Sequence, residues 1–191
     1  MSNLPDLLSP VVGERVTMVF SLLLVVHVLA GLTCVITGLV AITSKKRPGR
    51  HPRFGTVYYW SLSVVFASAT GLAGMRWQHD AYLFVLACIS FGVASIGYAA
   101  RKIRWRGWKS IHILGMSSSY IVLLTAFYVD NGPHLPLYDR LPGIVFWVGP
   151  SLIGLPLVAR ALLRHAHLAS DLRGTVRALA GLSQRSSHQL P

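Results

Sequence analysis

Carboxylates are scarce in this chain: 6 Asp and Glu stand against 18 Lys and Arg in 191 residues, and charged side chains of both signs amount to 13%. An ordinary soluble domain carries about 25%, so the composition excludes a fully solvated globular surface. Cysteine is scarcer still. Cys34 and Cys88 both lie inside apolar runs, which excludes a disulfide framework and a thiolate metal site. There is no H-E-x-x-H, no phosphate-cradling glycine loop and no Ser/His/Asp arrangement, and no carboxylate interrupts the apolar runs as ion-coupled carriers usually require. No catalytic residue is assigned. The first apolar run is too long for a cleaved signal, has no basic flank before it and no A-x-A site after it, so it reads as a permanent anchor.

Apolar sequence is abundant: 53% of residues are hydrophobic and the mean hydropathy is +0.54. Val16 to Ile42 is a run of 27 residues without a charged side chain. At about 1.5 Å per residue it reaches roughly 40 Å, beyond the ~30 Å of a bilayer core. Further apolar runs predict an all-α integral membrane protein with five spans, near 16–42, 56–75, 81–100, 111–129 and 141–159, forming one domain over 1–163. Residues 1–17, broken by Pro5 and Pro10, read as an interfacial lead-in. Gly149-Pro150 and Gly154-x-Pro156 predict a kinked or locally unwound fifth span, because proline removes a donor and clashes one turn back. Residues 164–182 read as a cytoplasmic amphipathic helix with Leu168, Leu172, Val176 and Leu179 on one face, and 183–191 as a frayed tail.

The basic residues report orientation. Two links, Ser44 to Gly55 and Arg101 to Ser110, together with the chain from Arg160 onward, hold 15 of the 18 Lys and Arg; the remaining three are Arg15, Arg76 and Arg140. The positive-inside rule then places the N-terminus outside and the C-terminus in the cytoplasm, in a bacterial inner membrane. The partners this predicts are the bilayer, anionic headgroups on the cytoplasmic side, and a membrane-protein partner or a second copy. Nucleic acid is excluded, since the basic clusters lie between apolar runs instead of on a solvated face.

Spans one and two, and spans three and four, each turn through basic residues into a histidine: His51-x3-Gly55-x2-Tyr58 in the first hairpin, His112-x2-Gly115 and then Tyr120 in the second. This predicts two parallel-repeat hairpins plus a fifth helix, with His51 and His112 at related depths. His27-x3-Gly31, His51-x3-Gly55-x2-Tyr58 and His112-x3-Met116-Ser117 together resemble the DUF 2306 family of uncharacterised bacterial membrane proteins, over roughly residues 26–129. Ile113 and Ser118 stand where that family has arginine. The resemblance implies a histidine-bearing helical bundle; the family has no established activity.

Three constellations carry chemistry. His51 and His112 could ligate a b-type haem or a transition metal through neutral imidazole nitrogens, with Arg50, Arg53 and Lys109 nearby for propionates or lipid headgroups. A central polar set of His27, Cys88, Ser119 and Tyr120 could carry protons, hold a quinone headgroup or only lock helices together. On the outer face His79, Asp80, Asp130 and His134 could bind zinc or copper if their links meet. The functional expectation is a histidine-lined bundle that binds a redox-active or membrane-soluble cofactor for electron transfer or cofactor handling. The alternatives are a small permease using the broken fifth helix, and a structural or assembly subunit of a membrane complex.

Overall fold

The computed structural model describes the backbone of residues 4–45, 49–135 and 140–187, and the side chains of 13–45, 49–132, 134–135 and 140–166. These residues form five long helices, α1 (Leu4–Thr43), α2 (Arg50–Met75), α3 (Trp77–Ile103), α4 (Trp108–Asn131) and α5 (Ile144–Ser187), with a short 3-10 turn at Gly132–His134 after α4. There is no strand among the described residues. Four helices are long and apolar enough to cross a membrane: α1 over Gly13–Thr43, α3, α4, and α5 over Ile144–Ala166. The exception is α2, whose serines, threonines and tyrosines dilute an otherwise apolar 26-residue helix.

Three expectations about boundaries change. The lead-in is already helical, because α1 begins at Leu4 and runs on through Pro10; Pro5 sits in the first turn, where its missing N–H would have had no intrahelical partner. The link expected at residues 76–80 shrinks to Arg76. Its N–H reaches Leu72 and Ala73, ending α2, and its carbonyl accepts from His79 and Asp80, starting α3. His79 and Asp80 are therefore first-turn helical residues, where Asp80 also complements the helix dipole. Finally, α5 stays helical through Pro150 and Pro156 without local unwinding and continues past residue 164, so no separate tail helix begins there. The side chains of the expected amphipathic face from residue 167 onward lie outside the described residues.

Each helix packs closely on the next in sequence, and α4 also reaches α1, more sparsely. The short links make α1–α2 and α3–α4 antiparallel hairpins, so α2 and α4 run in the same direction, facing each other through side chains. The interior is rich in hydroxyls and small residues, with Thr37, Ser68, Ser90, Ser119 and Thr125 buried beside Cys34, Ala94 and Leu62. The exterior is aliphatic: Leu22, Leu29, Leu152 and Ile153 are each at least 60% exposed. Exposed threonines Thr33, Thr43 and Thr70 bond carbonyls of their own helices four residues back, which satisfies each hydroxyl within its own helix.

Candidate functional site

His51 is the second residue of α2, just after Gly49, whose φ of 126° suits the end of the basic loop to glycine alone. His112 lies in the second turn of α4, after Gly107 in the left-handed region. The two imidazoles meet. Their ring centroids are 6.4 Å apart and their planes are nearly perpendicular at 86°.

Both rings are oriented in the same way. His51 Nδ1 donates to the carbonyl of Ala41 at 2.8 Å, and His112 Nδ1 donates to the carbonyl of Gly97 at 2.9 Å. A carbonyl only accepts, so Nδ1 carries the proton in each ring. In the neutral imidazole the lone pair then belongs to Nε2, and the bond at Nδ1 raises its donor strength. Trp108 flanks His112, with ring centroids 6.5 Å apart.

The same register continues deeper. Tyr58, seven residues after His51, contacts Ser119, seven after His112, with their oxygens 2.9 Å apart; both pairs are separated by 61 residues. Ser119 Oγ gives its proton to the Met116 carbonyl at 2.9 Å, which makes Tyr58 the donor to Ser119. Within the hairpins, Cys34 Sγ approaches the Tyr58 carbonyl at 3.7 Å, and Ser90 Oγ donates to the Ser119 carbonyl at 2.9 Å. Cys34 to Ser90 is the same 56-residue step as Ala41 to Gly97. Across the hairpins, Tyr59 reaches Ser95 on α3 at 3.3 Å while Tyr120 donates to the Val35 carbonyl on α1 at 3.0 Å.

The expected central polar set is not one cluster. His27 Nδ1 lies 3.0 Å from Ser68 Oγ on α2; Ser68 gives its own proton to its helix, at 2.8 Å to Val64, so His27 is the donor. Ser119 belongs to Tyr58, and Tyr120 to α1, where its ring seats against Gly38. Cys34, fully buried, takes the place in the core expected of Cys88, which is only partly buried on α3. The outer residues share one end of the bundle: the Asp130 carboxyl lies within electrostatic reach of Asp80, Arg76 and His134. No three His, Cys, Asp or Glu side chains among the described residues gather into one cluster.

Tyr58, Ser90 and Cys34 were not singled out as site residues. Tyr58 had a usable signal, since His51, Gly55 and Tyr58 at steps of four and three share one helical face. Cys34 shares a face with His27, Gly31 and Gly38 at steps of four, three and four, and Ser90 carries no such signal. A shallow cleft of about 220 Å³ between α3 and α4, lined by Val93, Ile96, Ile111, Leu114, Gly115 and Ser118, is apolar and smaller than the roughly 300 Å³ at which small-molecule sites begin. Among family models, curated proteins and solved structures, nothing matches this chain.

Proposed function

We propose that the chain is a five-span inner-membrane protein, N-terminus outside and C-terminus cytoplasmic, whose bundle holds a redox-active transition-metal centre between His51 and His112 for one-electron transfer. The observation that carries this reading is the meeting of two imidazoles 6.4 Å apart, each with Nδ1 committed to a helix carbonyl. Histidine ligands to metals are oriented in this way, by a bond at the other ring nitrogen. The aliphatic exterior and hydroxyl-bearing interior support the membrane setting. Residues 56–75 of α2 are included as a span because that helix packs between α1 and α3. The recurring contacts at steps of 61 and 56 residues support a parallel repeat of two hairpins, in keeping with the resemblance to DUF 2306 proteins.

Two of the other readings have less behind them. A permease would use a proline-broken fifth helix, and α5 is continuous helix through Pro150 and Pro156. A quinone headgroup would use the central polar set, whose members have separate partners.

The test is metal analysis and redox-difference spectroscopy of the full chain purified in detergent. The expected result is one transition metal per chain with a reversible change on reduction, lost in the His51→Ala, His112→Ala double variant and kept in His27→Ala. Substoichiometric metal in the wild type, or metal retained by the double variant, overturns the proposal.

A further inference from the structure

Resting on that reading, we infer that the metal is the iron of a haem, held with His51 and His112 as its two axial ligands. Ligand count is the first argument. Two imidazoles meet, and no third His, Cys, Asp or Glu among the described residues joins a cluster with them. A bare zinc-like ion seeks about four ligands and would find two among the described residues. Haem iron brings four equatorial nitrogens and asks the protein for only its axial positions.

Distance is the second argument. A metal–nitrogen bond of about 2.0–2.1 Å, with roughly 1.1 Å from nitrogen to ring centre on each side, puts trans imidazole centroids about 6.3 Å apart and tetrahedral ones about 5 Å apart. The rings stand at 6.4 Å. Topology is the third. The two ligands come from α2 and α4, which face one another through side chains. At this level α1 and α3 contribute Ala41 and Gly97, the two smallest residue types, whose carbonyls fix the rings. Arg50, beside His51, and Lys109, three residues before His112, are exposed cations at the same end, placed to meet propionates.

The mutual orientation makes the inference specific. Ring planes at 86° predict a low-spin ferric haem with the strongly anisotropic EPR signal of perpendicular imidazoles, in place of the rhombic signal of parallel ones. The two Nδ1 bonds make both axial nitrogens strong donors, which favours the low-spin state.

The experiment titrates hemin into the full chain in detergent, after haem-replete expression, and follows absorption, EPR and metal content together. The expected result is one low-spin haem per chain. His112→Gly should lose the low-spin spectrum and recover it on addition of imidazole, and His112→Met should keep a six-coordinate haem with a shifted spectrum and potential. Saturation without a low-spin spectrum, or variants that bind as the wild type does, overturns the inference. Stoichiometric metal without a tetrapyrrole, lost when both histidines are replaced, removes the haem but leaves the metal-centre proposal standing. Absence of both removes both.

Discussion

The two hairpins make the same contacts with different residues. In each, a histidine at the start of the outgoing helix bonds a carbonyl near the end of the incoming one, to Ala41 in the first and Gly97 in the second. In each, a small buried polar residue of the incoming helix addresses a carbonyl of the outgoing helix, Cys34 in the first and Ser90 in the second. The means of approach differ. In the second hairpin the backbones nearly touch: a Cβ on Gly115 would meet the Val93 carbonyl at 2.6 Å and Gly97 Cα at 2.7 Å. In the first, Gly55 faces nothing within 4 Å, while Gly38 makes room for the Tyr58 and Tyr120 rings. One hairpin is therefore closed by glycine against backbone and the other by glycine under aromatic rings, with the histidine pair at the joint between them.

The most damaging way to break this symmetry is at the glycine contact. Gly115→Val would press a branched side chain against two backbone segments that cannot yield as a ring can, separating α3 from α4 and taking His112 from Gly97. The expected loss is about 3 kcal/mol or more, at or above the top of the usual overpacking range, read as a large fall in the detergent melting temperature. Gly55→Ala, inside the matching helix, should be neutral or stabilising by up to about 1 kcal/mol, as an unhindered Gly→Ala exchange in a helix usually is. Equal responses would show that the two hairpins close in the same way after all.

A smaller effect is expected where the hairpins meet. Ser119→Ala leaves the Tyr58 hydroxyl without its acceptor in a fully buried setting and should cost about 2 kcal/mol. Tyr58→Phe removes the donor instead, and Ser119 keeps its bond to Met116, so the cost should be about 1 kcal/mol. The order of the two, measured by thermal unfolding in one detergent, is the point. The reverse order would mean that the proton runs from Ser119 to Tyr58.

Much of this fold was legible because apolar runs and basic links are long-range signals that single residues do not alter; five helices and two histidines at helix starts follow from them. The pairing of His51 with His112 was legible as well, because both follow a basic turn. What the sequence concealed is the repeat below that level. Cys34 stands where Ser90 stands, and Tyr58 where Ser119 stands, so the recurring contact is a donor to a main-chain oxygen, which many side chains can supply and no residue identity records. The steps also differ, 56 residues between incoming helices and 61 between outgoing ones, because α3 and α4 run further past the histidine–carbonyl bond before they turn than α1 and α2 do, and a search at one period misses them. His27 misled for a different reason. Counting depth along α1 set it level with Cys88 and Tyr120, but depth does not fix the direction a side chain takes, and its helix turns it toward Ser68.

The finest distinction lies between Cys34 and Ser90. Ser90 donates at 2.9 Å, within the range of a sound O–H···O bond, whereas the Cys34 sulfur lies 3.7 Å from its carbonyl. Ser90→Ala should therefore cost about 0.6 kcal/mol, the average measured for interhelical hydrogen bonds in a membrane bundle. Cys34→Ser, which gives the first hairpin the residue of the second, should change stability by less than about 0.5 kcal/mol. A hydroxyl there is too far from the Tyr58 carbonyl to bond it without movement, and the carbonyl four residues back on α1 can receive its proton instead. Thermal unfolding of the two variants beside the wild type decides this. A gain of 1 kcal/mol or more from Cys34→Ser would mean that the first hairpin closes until its backbones approach as those of the second do, so that the sulfur alone holds the two apart.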